Sequence, residues 1–358
     1  MTSEFWKDKR VFITGHTGFK GSWLSLWLEI FGAKVYGYAL FPPTEPNMFD
    51  MVHVDSPMKS TIGDTRDYQS LLNAIKEANP EIVIHMAAQP LVRQSYADPI
   101  ETYQTNVIGT VNLLEAIRTI GSVKAAINVT SDKCYENREW LWAYRECDSL
   151  GGYDPYSSSK ACSELVTSAF QRSFFSNEEK TVALASARAG NVIGGGDWAT
   201  DRLIPDCIKA WTAGKAVEIR YPQAIRPWQH VLEPLSGYLI LAEKLFCHGK
   251  DFAQAWNFGP DETNVKNVEE IITMLADAWG DNAKWKITGN KKQHEAGILK
   301  LDCSKARKKI HWMPCWGIQK TIEEIAKWYK ICYEKPNNIR EFTIKQINQY
   351  MEDRKCIQ

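Results

Sequence analysis

The segment Val11–Trp23 reads VFITGHTGFKGSW and decides the fold of this chain. Its first residues form a short apolar, β-branched run that predicts a strand, and Ser22–Phe31 is apolar on more than one face, which predicts a buried helix. Between them, Gly15 permits a tight turn, Gly18 allows close approach of the backbone to a phosphate, and Gly21 lets helix and strand pack closely. A diphosphate can bind there against backbone N–H groups at the helix N-terminus. This order of elements favours a nucleotide-binding turn over a purely structural one.

Strands and helices alternate along the first half of the chain. Short apolar runs predict further strands at Ala33–Leu40, Ser60–Gly63, Glu81–Met86, Ala125–Thr130 and Thr181–Arg188. The segments between them predict helices at Arg66–Ala78, Ile100–Ile120 and Pro155–Ser173. This alternation predicts the α/β fold class, here a Rossmann-type doubly wound parallel sheet with helices on both faces.

The sequence changes character after Asn191. A loop with three successive glycines follows, and the later helices are separated by short extended pieces. Those helices are predicted near Pro234–Phe246, Val268–Ala278, Thr321–Cys332 and Thr343–Met351. We therefore predict a cofactor-binding Rossmann domain over residues 1–190. A smaller, mixed C-terminal substrate-binding lobe is predicted over residues 191–358, from which some segments return to the first domain.

The composition is that of a globular protein without a bias toward polyanions. The 358 residues include 43 basic and 43 acidic residues, so no overall basic excess indicates a nucleic acid or an anionic membrane as partner. No apolar run reaches the roughly 18 residues of a transmembrane helix, and the N-terminus lacks the features of a signal peptide. The nine cysteines are scattered without CxxC pairs, which predicts reduced thiols, a cytoplasmic location and no metal site.

The sequence YSSSK places Tyr156 and Lys160 four residues apart on a predicted helix. Residues at that spacing share one helix face, so a phenol and an ammonium group can meet one substrate. A base near pH 7 requires a Tyr pKa about three units below its usual value, and a neighbouring lysine cation acts in that direction. Taken alone, the pair also fits an exposed helix face. Its position behind a nucleotide-binding turn favours catalysis.

The spacing GxxGxxG, together with three later segments, resembles the extended short-chain dehydrogenase/reductase family. Asp64 in IGDTRD falls where that family contacts the adenine amine. HMAAQ (His85–Gln89) resembles its loop after the fourth strand, and NVIGT (Asn106–Thr110) resembles its next helix. The resemblance implies NAD as cofactor and a homo-oligomer, either dimer or tetramer. It implies cofactor contacts at Gly15, Thr17, Gly18, Phe19, Lys20, Gly21, Asp64, Thr65, Ala87, Ala88, Tyr156 and Lys160.

The end of the second strand departs from the pattern of NAD enzymes, which often carry Asp or Glu there. This strand ends YGYAL, with Ala39 near the expected acid, and no nearby arginine is present to bind a 2′-phosphate. The residues themselves therefore leave NAD and NADP open, whereas the resemblance favours NAD. The missing carboxylate predicts weaker cofactor binding than in relatives that carry one.

A second reactive segment, TSDKCYEN (Thr130–Asn137), follows the buried strand AAINVT. It should lie at the carboxyl edge of the sheet, where ligands bind in open α/β folds. Ser131 can bond a sugar hydroxyl and relay its proton to Tyr156, whereas Asp132 and Lys133 add an acid and a potential base. The segment resembles that of nucleotide-sugar 4,6-dehydratases, whose dTDP-glucose members carry an Asp-Glu pair. The Asp-Lys variant followed by CYEN resembles the members that act on CDP-glucose.

The resemblance implies a three-step reaction. Tyr156 takes the O4 proton while hydride passes from C4 to NAD, a base removes the C5 proton while Asp132 protonates the departing O6, and hydride returns to C6. The product is a 4-keto-6-deoxy sugar, which would feed deoxysugar synthesis for a bacterial surface polysaccharide such as lipopolysaccharide. Asp132 must then be protonated and Lys133 neutral, each about three units from its usual pKa. We hypothesise a coupled pair that shares one proton, with a salt bridge at the strand end as the alternative.

The expected substrate contacts come from later segments. RAGNVIG resembles the family motif RxxNxxG, whose Asn contacts the substrate diphosphate, a role that falls on Asn191. Arg226 in IRPWQHV is expected to contact the diphosphate, because a guanidinium fork suits phosphate oxygens, and Arg202 in RLIP is a second candidate. His230 is expected to flank the nucleotide or to lie at the surface. Gln89 is a further expected substrate contact.

Two other functions fit the same fold. A nucleotide-sugar 4-epimerase or ketoreductase needs the serine and the Tyr/Lys pair but not an added acid and base, so Asp132 and Lys133 argue against it. A non-catalytic nucleotide-sugar-binding protein has no need of Ser131, Tyr156 and Lys160, all of which are present. A dehydratase is therefore the expected function.

Overall fold

The computed structural model describes residues 3–176, 181–280, 283–288 and 297–357, and its main sheet has seven parallel strands. They are β1 (Arg10–Thr14), β2 (Lys34–Ala39), β3 (Lys59–Ile62), β4 (Ile82–His85), β5 (Ala125–Val129), β6 (Ala183–Ala189) and a seventh strand, Ala255–Phe258. From one edge to the other, the order is the seventh strand, β6, β5, β4, β1, β2 and β3. This order confirms the predicted Rossmann-type sheet.

Alternate residues of the central strands point to opposite faces of the sheet, and both faces are buried. On one face, Phe12, Val83, Ala126 and Leu184 lie in register across four strands, against the helices Tyr68–Ala78 and Gly109–Thr119. On the other face, Ile13, Ile84 and Ile127 pack in a larger core with the helices Phe19–Ile30 and Leu232–His248. The near-continuous apolar strands of the sequence follow from this double burial.

Long helices flank the sheet, and shorter helices and turns connect the elements. The first half contains Ser3–Trp6, Phe19–Ile30, Met48–Met51, Tyr68–Ala78, Val92–Ala97, Pro99–Tyr103, Gly109–Thr119 and Pro155–Phe170. The second half contains Leu203–Thr212, Leu232–His248, Val268–Trp279, Ser304–Ile310, Ile318–Glu334 and Ile339–Lys355. The predicted helix Ile100–Ile120 contains a π-helical turn at Gln104–Ile108. The helix predicted from Ser22 begins at Phe19, directly after its N-cap Gly18.

Short strand pairs build the region after Asn191. They are Val192–Ile193 with Gln229–His230, Ile225–Arg226 with Lys266–Asn267, and Val217–Ile219 with Trp285–Ile287. The seventh strand of the main sheet also comes from this half of the chain, which leaves the division at residue 190 a prediction. The final helix packs on the first long one, where Trp27 donates to Met351 Sδ at 3.3 Å. None of the helices in the described ranges is long and apolar enough to cross a membrane.

The strand order reverses between β1 and β4, and ligands of open α/β folds bind beyond the carboxyl ends of the strands at such a point. The Thr14 hydroxyl ties the two strand ends together, because it bonds His85 Nδ1 at 2.6 Å and accepts from Ala87 N at 3.2 Å. The glycine turn after β1 and the loop after β4 are thereby held side by side.

Candidate active site

A cavity of about 1740 Å³ lies at this carboxyl edge and extends into the region after Asn191. Its lining includes the glycine turn, the ends of β2, β4 and β5, the Tyr156–Lys160 face of the helix Pro155–Phe170, and arginines from the second half. Every expected cofactor contact lines it: Gly15, Thr17, Gly18, Phe19, Lys20, Gly21, Asp64, Thr65, Ala87, Ala88, Tyr156 and Lys160.

The three glycines of the turn differ in whether their surroundings leave room for a side chain. Gly15 has a φ of +77°, and a Cβ there would lie 2.7 Å from Ala87 N. A Cβ on Gly21 would lie 2.1 Å from the carbonyl oxygen of Gly15, so close packing of the helix on the turn requires glycine. A Cβ on Gly18 would meet only that same oxygen at 3.4 Å, an ordinary contact. The surrounding protein therefore requires Gly15 and Gly21, whereas Gly18 leaves open space at the helix N-terminus.

Two of the charged side chains expected to contact the cofactor have shifted pKa values. The Asp64 carboxylate accepts two hydrogen bonds from Arg66, one from Nε at 2.8 Å and one from the backbone N at 2.9 Å. Burial raises the pKa of Asp64, but these bonds and the guanidinium charge outweigh it, so the net pKa is lowered. Lys20 donates to the Tyr238 hydroxyl at 3.0 Å, and burial together with the Lys160 and Arg202 charges lowers its pKa to about 7.

The helix Pro155–Phe170 presents Tyr156 and Lys160 to the cavity, as their spacing predicts. Asp154 caps this helix by accepting from Ser157 N at 3.0 Å, and Pro155 occupies its first turn. The Lys160 ammonium donates to the Val129 carbonyl at 3.4 Å. Burial lowers the Lys160 pKa to about 8, against an opposing effect of nearby acidic groups. The pKa of Lys160 therefore lies close to neutral pH.

The expected fall in the Tyr156 pKa is not produced by the protein's own groups. Burial raises that pKa to about 12, and a hydrogen bond with Ser131 and the Arg202 charge offset only part of the rise. Among the largest effects on this pKa, the two that lower it come from Ser131 and Arg202. The lowering effect expected from neighbouring positive charge is therefore outweighed, in the protein alone, by desolvation of the buried phenol.

The segment after β5 forms a short 3₁₀ turn, Asp132–Cys134, capped by the side chain of Ser131. The Ser131 hydroxyl accepts from Lys133 N at 3.2 Å and donates to Asp132 Oδ1 at 2.9 Å. The other oxygen of this carboxyl, Oδ2, is buried and has no hydrogen-bond partner among the described residues. Burial raises the Asp132 pKa, although the Lys133 charge and the Ser131 bond act in the opposite direction. Burial thus shifts the Asp132 carboxyl toward its protonated form, which is the direction that a proton donor requires.

Three of the expected substrate contacts line the cavity, namely Asn191, Arg202 and Arg226. Arg202 forms an ion pair with Asp197 at 2.8 Å. Arg226 is almost fully buried, and its guanidinium donates to the Ile225 carbonyl at 2.9 Å. Buried or half-buried arginines beside a cavity suit a diphosphate, since each can present a fork of N–H donors.

Two expected substrate contacts, His230 and Gln89, are not among the residues that line the cavity. His230 is fully buried, with its ring 5.9 Å from that of Trp23 and 4.9 Å from that of Trp316, and burial lowers its pKa to about 3. It is a packing residue because its short strand pairs with Val192–Ile193 and directs the ring into the core. The side-chain amide of Gln89 donates from Nε2 to Thr102 Oγ1 at 2.8 Å, and its oxygen accepts from a neighbouring backbone N–H.

Three charged side chains that meet on the cavity wall could not be predicted from the sequence. Arg93 and Arg220 both approach Asp201, at 2.5 and 3.5 Å, and all three side chains line the cavity. These residues come from separate segments and match no motif, so only the folded chain brings them together. Within the described residues, no cluster of three or more His, Cys, Asp or Glu side chains is arranged to hold a metal ion.

The comparisons with known proteins agree with this geometry. Residues 12–325 match the family model described as GDP-mannose 4,6 dehydratase. The chain is 57% identical over 333 residues to a CDP-glucose 4,6-dehydratase of Salmonella typhimurium, covering 92% of this chain and 93% of that protein. Ser131, Asp132, Lys133, Tyr156 and Lys160 all fall inside the matched family region.

Solved structures show the same fold at low sequence identity. A dTDP-glucose 4,6-dehydratase of Bacillus anthracis in complex with NAD has a TM-score of 0.75 at 21% identity, covering 91% of this chain and 97% of its own. A UDP-glucose 4-epimerase of Stenotrophomonas maltophila with bound NAD has a TM-score of 0.79 at 18% identity, covering 90% and 98%. The fold alone therefore does not separate dehydratases from epimerases. The family match and the 57% identity do, and they show that this chain belongs to the nucleotide-sugar 4,6-dehydratases of the extended short-chain dehydrogenase/reductase family.

Proposed function

We propose that this chain is a hydro-lyase that converts CDP-D-glucose to CDP-4-keto-6-deoxy-D-glucose with NAD. The observation that carries the proposal is the buried Asp132, whose pKa is raised and which lies beside Lys133 on the same cavity as Ser131, Tyr156 and Lys160. An acid held neutral is what the expulsion of water from C6 requires. The 57% identity to a CDP-glucose 4,6-dehydratase supports the choice of substrate.

The residues of the cavity fit a dinucleotide. The open space at Gly18 and the helix N-terminus beyond it suit a diphosphate, and Asp64 stands at the carboxyl end of β3 for an adenine amine. When bound, NAD accepts hydride from C4 of the sugar and later returns it to C6. Ala39 lines the cavity at the end of β2, where NAD enzymes often carry an acid, so we expect a modest affinity for the cofactor.

The oxidation step depends on Tyr156 as the base for the O4 proton. The Ser131 hydroxyl lines the same cavity as the phenol and is proposed to pass the proton from the sugar to it. Because burial raises the Tyr156 pKa, the phenolate needs further positive charge near it. Lys160 lies one helical turn away and can supply part of that charge while it remains protonated.

The elimination step depends on Asp132 and Lys133. Asp132 is proposed to donate its proton to the departing O6, and its Oδ2 forms no hydrogen bond with any residue that the structure describes. Lys133 lines the cavity and is the proposed base for the C5 proton. Asn191, Arg226 and Arg202 are proposed to hold the substrate diphosphate. They lie on the second half of the chain and close the cavity opposite the glycine turn.

The alternative is a 4-epimerase or ketoreductase, which the structural similarity to a UDP-glucose 4-epimerase keeps in view. A 4-epimerase oxidises and re-reduces C4 and a ketoreductase reduces a keto carbon, in both cases without expelling water, so neither needs an added acid such as Asp132. Asp132 therefore favours the dehydratase.

We also propose that the protein is a homo-oligomer in the cytoplasm. Ile100 and Ile108 are 70% and 48% exposed, and Leu165, on the packed neighbouring helix, is 59% exposed, which leaves an apolar face for a second copy. Leu165→Glu should lower the molar mass measured by light scattering to that of a monomer. All nine cysteines are free, as expected of a reducing compartment.

The proposed activity is tested by mass spectrometry of CDP-glucose and dTDP-glucose, each incubated with the protein and catalytic NAD. Loss of one water from CDP-glucose alone, without accumulation of NADH, is the expected result. Water loss from dTDP-glucose alone would keep the chemistry and refute the substrate. An unchanged mass with both sugars would refute the dehydratase, and an isomeric product detected by chromatography would favour the epimerase.

A further inference from the structure

A buried ion pair lies beneath the catalytic residues and does not line the cavity. Glu164 and Arg188 are both almost fully buried, and the guanidinium donates from Nε and Nη2 to the two carboxylate oxygens at 2.9 Å each. Glu164 also accepts from the hydroxyls of Thr130 and of Ser186, the latter at 2.6 Å. Both carboxylate oxygens are thus satisfied twice. The pKa of Glu164 is lowered because the Arg188 charge and these bonds outweigh burial.

This pair holds both ends of the loop that carries the acid and the base. Thr130, at the start of the loop, bonds Glu164, while Tyr135, at its end, accepts from Arg188 Nη1 at 2.8 Å. The Tyr135 hydroxyl in turn donates to Asn257 Oδ1 at 2.7 Å, on the seventh strand of the sheet. Asp132 and Lys133 lie between these two anchors. Movement of either partner would therefore displace the carboxyl and the ammonium group relative to the substrate.

The same carboxylate acts on Lys160, which precedes it by one helical turn. Burial lowers the pKa of Lys160, and Glu164 gives the largest opposing effect, followed by the Cys134 thiol. Among the described residues, Lys160 also lowers the pKa values of Lys20 and His85, and it shares its helix face with Tyr156. Glu164 is therefore the carboxylate that favours a charged Lys160 in this pocket.

We infer that Glu164 is a positioning residue for the dehydration proposed above, on which this inference rests. Paired with Arg188, it fixes the Thr130–Tyr135 loop and holds positive charge on Lys160. The residue touches neither substrate nor cofactor and acts through the groups that do. Its neutral isostere should consequently change the rate and its pH dependence while it leaves substrate affinity nearly unchanged.

The experiment compares the pH dependence of kcat for wild type and Glu164→Gln with CDP-glucose. We expect the alkaline limb to move down by about one pH unit, because an opposite charge at this range shifts a pKa by one unit or more. The rate on that limb should then fall about tenfold, with KM little changed. Glu164→Asp keeps the charge and should leave the limb near that of wild type. Thr130→Val removes one loop anchor without a charge and should lower kcat without moving the limb.

Glu233 is the control, since it is another fully buried acidic residue, with donors at Cys315 N, Trp316 N and the Tyr350 hydroxyl, and it is not among the groups that shift the Lys160 pKa most. Glu233→Gln should change thermal stability but not the alkaline limb. An equal limb shift in both variants, or none in Glu164→Gln, would overturn the inference.

A direct titration separates this inference from the proposed function. In ¹³C-lysine-labelled protein, the Lys160 signal is assigned by its loss in Lys160→Met and then followed against pH. A lower midpoint in Glu164→Gln than in wild type supports the inference, and an identical midpoint overturns it, whether or not wild type dehydrates CDP-glucose. If Glu164→Gln does not fold, Thr130→Val decides the loop anchor: a lowered kcat with an unmoved alkaline limb supports it, and a wild-type kcat overturns it.

Discussion

Two buried carboxylates in one site have opposite properties. Asp132 and Glu164 are 2% and 4% exposed, so desolvation acts strongly on both. The pKa of Asp132 is raised, and one of its oxygens has no partner among the described residues. The pKa of Glu164 is lowered, and both of its oxygens accept hydrogen bonds from a guanidinium and from hydroxyls. The set of partners, not burial, therefore decides which carboxyl can give up a proton to a substrate and which remains a fixed anion.

The largest expected effect is on the chemistry of Asp132. Asp132→Asn keeps the shape and the bond from Ser131 but removes the transferable proton. We expect kcat to fall by about 10² to 10⁴, the range of a lost general acid. Because oxidation at C4 precedes the loss of water, the variant should still reduce NAD and accumulate absorbance at 340 nm with CDP-glucose. A variant that dehydrates at the wild-type rate would show that another group protonates O6.

The second-largest expected effect is a difference in unfolding free energy between variants of the two carboxylates. Glu164→Gln leaves the buried Arg188 without its counter-charge, and breaking a buried pair costs about 3 to 5 kcal/mol of unfolding free energy. Asp132→Asn breaks no such pair and should change that free energy by about 1 kcal/mol or less. Urea denaturation at pH 7 measures both. Equal losses in the two variants would contradict the different roles assigned to them.

A third, smaller effect concerns the neighbour of Asp132. Lys133→Met removes a charge that lowers the Asp132 pKa, so that pKa should rise further and the protonated acid should persist to higher pH. The same change removes the proposed C5 base, with an expected loss in kcat of about 10². Exchange of the C5 proton in D₂O, followed by NMR, measures the base directly. Retained exchange would exclude Lys133 as the base, whereas lost exchange with a shifted pH profile supports the coupled pair.

Local patterns predict the parts of this site that are local in the chain. The glycine turn, the TSDK segment and the YSSSK pair each rest on adjacent residues or on helical spacing, and all of them line one cavity. The parallel sheet was predictable for the same reason, since its strands are apolar runs separated by helices. The seventh strand, Ala255–Phe258, was not predicted, because four residues that lie far from β6 in the chain show no pattern of their own.

The errors arise where tertiary packing decides the direction of a side chain. His230 stands in a segment that resembles a substrate-binding motif, yet a two-residue strand directs its ring between two tryptophans. The pairing of Glu164 with Arg188 joins positions 24 residues apart, on a helix and on a strand, and no spacing rule connects them. The raised Tyr156 pKa depends on burial, which residue types alone do not specify.

The smallest effect follows from the opposite pKa shifts and concerns how stability changes with pH. A carboxyl whose pKa is raised on folding stabilises the fold fully below its unfolded pKa and loses that contribution as pH rises through its folded pKa. Asp132 should therefore destabilise wild type toward alkaline pH, and Asp132→Asn should remove this slope. Glu164, whose pKa is lowered, contributes above its unfolded pKa of about 4.3 and loses the contribution as pH falls further, so the deficit of Glu164→Gln should shrink in acid. Unfolding free energies measured between pH 3 and 8 test both signs, with a total change of about 1.4 kcal/mol for each unit by which the folded and unfolded pKa values differ. Parallel curves for wild type and both variants would show that neither carboxyl changes its pKa on folding.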